Sequence, residues 1–211
     1  MIDTNKKFLV AGAGKSGIGS VNLLLKTGAD VSLYDGKEDL EKEALYEKLY
    51  EKKEIPVNAP IAQMFRDQEK PVWSEIELAY QASKGRIAAI TGTNGKTTTT
   101  ALTGEIMKGY YESSFVVGNI GIPYTSVALD TKEDSVTTAE ISSFQLETIV
   151  DFKPDVCAVL NIRIAVIYLR SFVCLSKIKS CCKLTVCAFC DLFFVVIHIC
   201  SVFFYGFLAV I

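Results

Sequence analysis

The chain carries almost no net charge: 22 Lys+Arg stand against 24 Asp+Glu in 211 residues, a formal balance of -2, which gives no electrostatic case for a nucleic-acid partner. It lacks the polar bias of a disordered or low-complexity chain, because 50% of it is hydrophobic and 22% charged, enough to bury a core in one or two domains. The amino terminus lacks the long apolar run of a secretory signal. Met1 to Lys7 leads into a short apolar stretch and then glycines, so a cytoplasmic body is expected. No internal repeat is present. Cysteine is nearly missing from the first 162 residues, where Cys157 alone reads as a small buried side chain, and no disulfide framework is implied.

The averages conceal a break near Ile162. Residues 163–211 hold five Lys/Arg and one acid, a balance of +4, which leaves -6 on the rest of the chain. Six of the seven cysteines and the single histidine, His198, lie in this tail, with no proline and one glycine, Gly206. Residues 192–211 form a 20-residue run without charge, long enough to cross a bilayer as a helix, and Lys177, Lys179 and Lys183 before it would hold the body on the cytoplasmic side. The preferred reading is different: the skewed Phe/Val/Ile/Cys usage is that of residues translated in an altered frame and never patterned to fold. Cys181-Cys182 and Cys187-Ala188-Phe189-Cys190 have no second spaced pair and apolar surroundings, so neither zinc nor a redox dithiol is expected.

The body alternates strand and helix signals. A strand over 8–11, a glycine turn over 12–17, a helix over 18–27 ended by Gly28 and a strand over 31–34 make a βαβ unit. The charged stretch 39–53 has helical periodicity and reads as a solvated helix. Residues 58–70 break the rhythm and take no assignment. A short strand over 71–73 precedes Ser74-Glu75-Ile76-Glu77, which opens a helix in the manner of a capping box. A strand over 87–90, a helix to about Met107 and strands over 115–117, 135–139 and 156–160 follow. The expected class is α/β: a Rossmann-like parallel-sheet domain over 1–80, a partial P-loop-type domain over 81–162, and a hydrophobic tail of doubtful structure over 163–211.

Three motifs carry chemistry. Gly12-Ala13-Gly14-Lys15-Ser16-Gly17 lies between a strand and a helix, where glycines let the backbone approach a phosphate and the helix start supplies oriented N–H groups. Asp35, at the end of the second strand, sits where a dinucleotide-binding domain puts its ribose-binding acid. Thr91-Gly92-Thr93-Asn94-Gly95-Lys96-Thr97 also joins a strand to a helix. Its backbone amides can ring phosphates, Lys96 can reach the β and γ oxygens, and the Thr97 hydroxyl can ligate Mg2+, although Ile90 replaces the first glycine of the usual phosphate loop. Glu140, at the carboxyl end of a strand, is placed to offer Mg2+ a hard oxygen near a triphosphate; read alone, it is a helix amino-terminal acid.

Gly92-Thr93-Asn94-Gly95-Lys96-Thr97-Thr98, Gly118-Asn119-Ile120-Gly121 and Glu140-Ile141-Ser142-Ser143-Phe144-Gln145-Leu146-Glu147, with the glycine-rich start at Ala11, resemble the Mur ligase family over 7–57 and 71–162. Within it they are similar to the branch that joins D-glutamate to UDP-N-acetylmuramoyl-L-alanine in peptidoglycan synthesis. The resemblance implies an ATP-dependent, ADP-forming ligase in which ATP phosphorylates a carboxylate and an amine attacks the acyl phosphate. It implies that Gly92, Thr93, Asn94, Gly95 and Thr98 surround the phosphates and that Lys96 stabilises the γ-phosphoryl group. Thr97 would hold one Mg2+ and Glu140 a second. Asn119 would lie beside the muramoyl group, and Lys15, Ser16, Asp35 and Lys37 would face UDP. A cytoplasmic monomer is expected, with membrane contact only if the 192–211 run acts as an anchor.

Departures from the family pattern are equally specific. Residues 58–70 replace a Ser-Pro-Gly loop that helps hold uracil. Arg163-Ile164-Ala165-Val166 stands where the family carries a histidine of the second metal site, and the downstream lysine and carboxyl-terminal domain have no counterpart. The polypeptide as written is therefore not expected to be a competent ligase. An NAD-dependent oxidoreductase built on residues 12–35 is an alternative, as is a membrane-anchored nucleotide-binding module without catalysis. The first leaves Lys96, Thr97 and Glu140 without a task.

Overall fold

The structure is a computed structural model, and it describes residues 2–37, 40–54, 71–119, 121–161, 184–187 and 198–199. In the first unit, β1 (Lys7–Ala11) and β2 (Asp30–Tyr34) pair in parallel, Lys7 opposite Asp30 and Ala11 opposite Tyr34, with α1 (Lys15–Lys26) as the crossover. Val21, Leu23 and Leu24 of α1 are at most 1% exposed. Burying each such side chain contributes about 1.5–3 kcal/mol, so packing holds a helix whose Gly14 N-cap supplies no side-chain acceptor. Gly28, at φ 83, ends it as expected, because a left-handed residue there costs glycine least. α1 starts at Lys15, inside the stretch expected as a turn.

Two expectations for the following residues are corrected. The helix expected over 39–53 is reduced to α2 (Lys42–Tyr46) and a 3-10 turn (Tyr50–Lys52). Asn22 of α1 donates to the Lys48 carbonyl at 3.1 Å and accepts the Tyr50 N–H at 2.7 Å. Those backbone groups are thereby taken from a continuous helical ladder, and tertiary bonding overrides helical periodicity. Pro71, Val72 and Trp73 form no strand: Val72 is 71% exposed, and the neighbours of the next strand in the sheet are supplied from elsewhere in the chain. The unassigned stretch 58–70 lies outside the described residues.

Among the described residues the second unit is a sheet in which β4 (Ser114–Gly118), β5 (Val136–Glu140), β3 (Arg86–Thr91), β6 (Val156–Val159), β7 (Leu184–Cys187) and β8 (His198–Ile199) lie side by side in that order. β3 leads through α4 (Lys96–Lys108) to β4. Two 3-10 turns (Tyr124–Ser126, Ala128–Asp130) lead to β5, and α5 (Ser143–Glu147) leads to β6. β5 lies between β3 and β4 and is buried at every residue, the environment of an inner parallel strand, although it reads Val-Thr-Thr-Ala-Glu. Of residues 163–211, those described extend the sheet. β7 pairs parallel with β6 and β8 antiparallel with β7. The rest of the 192–211 run lies outside the described residues, among which no helix is long and apolar enough to cross a membrane.

Between the units runs α3 (Glu75–Ala82). Its expected capping box does not form: Ser74 makes no side-chain cap, and Glu77 turns inward instead. At 0% exposure, the Glu77 carboxylate accepts N–H groups of Val150, Asp151 and Phe152 at 2.8–3.1 Å and the Gln81 amide at 2.9 Å. Glu75 accepts both the Thr125 N–H, at 2.7 Å, and its hydroxyl, at 2.9 Å. Gly19 of α1 meets the same turn, where an added Cβ would lie 2.6 Å from Thr125 Oγ1, so the units approach at glycine distance. A reciprocal capping box does occur further on, between Ser142 and Gln145.

Candidate phosphate-binding site

The loop from Thr91 to Lys96 leaves the carboxyl end of β3 and enters α4 through Gly95, whose φ of 80 is left-handed. Gly92 has φ 140, and a Cβ there would sit 3.1 Å from both the nitrogen and the oxygen of Asn161. A side chain would therefore be strained by the backbone conformation and crowded by the Asn161 backbone. The Lys96 ammonium folds back to donate to the carbonyls of Gly92, at 2.9 Å, and Thr93, at 3.2 Å. The amides of Thr93 and Asn94, expected to ring phosphates, are instead donated to Asn161: to its carbonyl at 2.9 Å and its Oδ1 at 2.8 Å. The first ladder bond of α4 runs from the Thr99 N–H to the Gly95 carbonyl. The preceding N–H groups, of Lys96, Thr97 and Thr98, thus have no carbonyl within the helix and form its positive end. Thr97 and Thr98 are exposed there.

Glu140 closes β5 at 2% exposure, in register with Ile90 on one side and Gly118 on the other. Its side chain is thus carried on the strand next to the one that feeds the phosphate loop, about 4.8 Å away across the sheet. Gly118, at φ 117, is required because a Cβ would overlap the Glu140 carbonyl. The Glu140 carbonyl accepts the Asn119 N–H at 3.0 Å, and Asn119 itself is exposed at the sheet edge. Glu140 Oε2 is buried with no protein donor. An uncompensated buried carboxylate costs several kcal/mol, and a hard divalent cation is the partner that offsets this. The donor chemistry at Glu140 Oε2 therefore fits a hard cation such as Mg2+.

The first glycine loop is built in another way. Gly12, at φ 97, donates to the Tyr34 carbonyl at 2.6 Å, and a Cβ on Gly17 would overlap the Gly12 carbonyl, so the third glycine serves close helix–strand packing. Asp35 accepts the Ala13 N–H at 2.6 Å and the Lys37 N–H at 3.0 Å. These two bonds, the Ala13 one foremost, hold its carboxyl below the usual carboxylate range. Asp35 thus ties its own loop, and Lys15, Ser16 and Lys37 are exposed around it.

The structure gathers Gly92 to Thr98 at one strand end, with Glu140 and Asn119 at the neighbouring strand ends; Lys15, Ser16, Asp35 and Lys37 form a separate cluster at the end of the first sheet. Sequence reading missed Asn161. Its one signal was position, immediately after a strand whose end meets the loop. Among the described residues no group of three or more His, Cys, Asp or Glu could hold a metal.

A parallel sheet, a glycine loop opening a helix and a buried acid on the adjacent strand define a phosphate-loop α/β protein. Comparison with known proteins narrows the class. The chain matches the Mur ligase middle domain over residues 90–165. It is 51% identical over 181 residues to the UDP-N-acetylmuramoylalanine--D-glutamate ligase of Lachnospira eligens, covering 75% of this chain and 40% of that protein. The protein of the same name from Lachnoclostridium phytofermentans is also 51% identical over 181 residues, covering 74% and 40%. That of Alkaliphilus metalliredigens is 39% identical over 183 residues, covering 75% and 40%. The chain thus spans about two fifths of the length of these relatives.

Proposed function

We propose that this chain supplies the nucleotide-binding part of an ATP-dependent ligase that joins D-glutamate to UDP-N-acetylmuramoyl-L-alanine. The observation that carries the reading is the pairing of the Gly92–Lys96 loop with Glu140, a buried acid lacking a protein donor at Oε2. In this reading the first-turn amides of α4 receive the phosphate oxygens of ATP, and the Lys96 ammonium moves from the loop carbonyls onto the γ-phosphoryl group. Thr97 and Glu140 hold Mg2+, which neutralises phosphate charge when bound. Asn119 faces the muramoyl substrate, and Lys15, Ser16 and Lys37, with Asp35 fixing their loop, face UDP. The domains divide near residue 80, with α3 as the seam. Chemistry of this kind asks the protein for positioning and charge neutralisation, and the loop supplies both without a covalent step.

Arg163-Ile164-Ala165-Val166 brings neither an imidazole nor a carboxylate next to Asn161, so nucleotide binding is the activity proposed for this chain and ligation the activity of the full-length relatives. The oxidoreductase alternative gains no support, since the relatives are named as ligases. Thermal unfolding with each ligand tests the choice. Mg-ATP at 100 times its Kd is expected to stabilise the chain by about 2.7 kcal/mol, with NADH inert. Protection by NADH and none by Mg-ATP overturns the proposal.

A further inference from the structure

The end of β6 does more than complete the sheet. Leu160 donates its N–H to the Thr91 carbonyl at 3.0 Å, and the Asn161 carbonyl accepts the Thr93 N–H at 2.9 Å. The Asn161 carboxamide then grips Asn94 from both sides: Oδ1 accepts the Asn94 N–H at 2.8 Å, and Nδ2 donates to the Asn94 carbonyl at 2.9 Å. A carboxamide offers an acceptor and a donor in one plane, here to the N–H and the C=O of one residue, so it ties down the two peptide units that flank the Asn94 Cα. The close pass is built in, because Gly92 leaves 3.1–3.2 Å between its missing Cβ and the backbone of Leu160 and Asn161.

The clamp has a directional consequence. With the Thr93 and Asn94 N–H groups turned toward Asn161, the Gly92 and Thr93 carbonyls turn the other way and hold the Lys96 ammonium, at 2.9 and 3.2 Å. A loop free to rotate these peptides would present carbonyl oxygens to an incoming phosphate in part of its population. Affinity falls by the fraction of loops so misdirected.

We propose that Asn161 is a positioning residue of the phosphate loop. Its carboxamide fixes the two peptides that flank the Asn94 Cα, keeps the loop carbonyls on Lys96, and leaves the α4 first-turn amides as the donors to a nucleotide phosphate. The nucleotide part of this proposal rests on the function proposed above. The clamp itself does not.

The test uses the full 211-residue chain with Asn161→Ala and Asn161→Asp, read by amide hydrogen exchange without nucleotide and by Mg-ATP binding. In Asn161→Ala, exchange at the Asn94 amide rises by about tenfold or more and Mg-ATP affinity falls by about tenfold, the scale of two ordinary hydrogen bonds. Asn161→Asp keeps an acceptor for the Asn94 N–H and loses the donor. It restores Asn94 protection without restoring affinity, a split that loss of packing alone does not produce. Exchange at Asn94 within twofold of the parent in Asn161→Ala overturns the clamp. Unchanged Mg-ATP affinity in both variants overturns its role in binding. If Asn161→Ala does not fold, Asn161→Asp decides alone: fast Asn94 exchange in it contradicts the proposal. A parent chain that binds no Mg-ATP refutes the nucleotide reading, and the exchange result still decides the clamp.

Discussion

Replacing Glu77 by Ala tests whether the seam between the two units is held as described. The carboxylate is 0% exposed and is held by four groups: the N–H donors of Val150, Asp151 and Phe152 and the amide of Gln81. The three backbone groups do not suffer equally when it is removed. Val150 is 61% exposed, so water can reach the first of them, whereas Phe152 is 1% exposed and its N–H stays dry. One dry, orphaned amide costs about 1–3 kcal/mol, and loss of the wetter charge-assisted bonds adds about 1 kcal/mol each. The dry amide and the two wetter backbone bonds together set the expected loss at about 3–5 kcal/mol, and the volume vacated beside the Phe152 backbone adds to it. That is a large part of the 5–15 kcal/mol typical of a domain. Urea unfolding followed by circular dichroism measures it. Glu77→Gln is expected to fall between, because one oxygen still accepts while the new NH2 faces backbone donors. A loss below about 1 kcal/mol for Glu77→Ala would refute this placement and restore the helix-capping role that the sequence suggested.

Two further outcomes are expected. Gly118→Ala forces a Cβ onto the Glu140 carbonyl at φ 117, and the left-handed conformation alone costs about 1–2 kcal/mol, so its unfolding midpoint should drop sharply and Mg-ATP protection should vanish with it; a near-neutral variant contradicts the geometry. Burial raises the Glu75 pKa above its ordinary 4.5, with the Thr125 bonds opposing it. The folded chain therefore keeps this proton to higher pH than the unfolded chain does, and the stability gained from it at low pH is lost as pH rises from about 4.5 through the folded value. Glu75→Gln keeps an acceptor for Thr125 and should flatten that part of the curve of unfolding temperature against pH, whereas parallel curves for parent and variant contradict it.

Most of the architecture was readable from local pattern. The βαβ unit and strands β3 and β4 follow from apolar runs bounded by glycine, β6 from a short apolar run and β5 from β-branched residues, and α1 and α4 from loops that glycine lets enter a helix. What was not readable depended on partners distant in sequence. Asn22 breaks the helix expected over 39–53, and Glu77 abandons Ser74 for amides more than seventy residues away. In the site, residue types pointed to Gly92, Lys96 and Glu140 because phosphate and cation chemistry demands them. Asn161 carries no such signature, since a carboxamide after a strand reads as a turn until its partners are known. The orientation of the Thr93 and Asn94 amides was equally invisible, because it depends on that same residue.

The central claim is that the loop around Lys96 receives the phosphates of a magnesium nucleotide. Calorimetric titration of the 211-residue chain and its Lys96→Ala variant with Mg-ATP tests it most directly. The account predicts saturable binding by the parent and an affinity lower by about tenfold or more in the variant, the scale of one charge-assisted contact. A parent that gives no binding heat and no thermal protection, or a variant that binds as tightly as the parent, contradicts it.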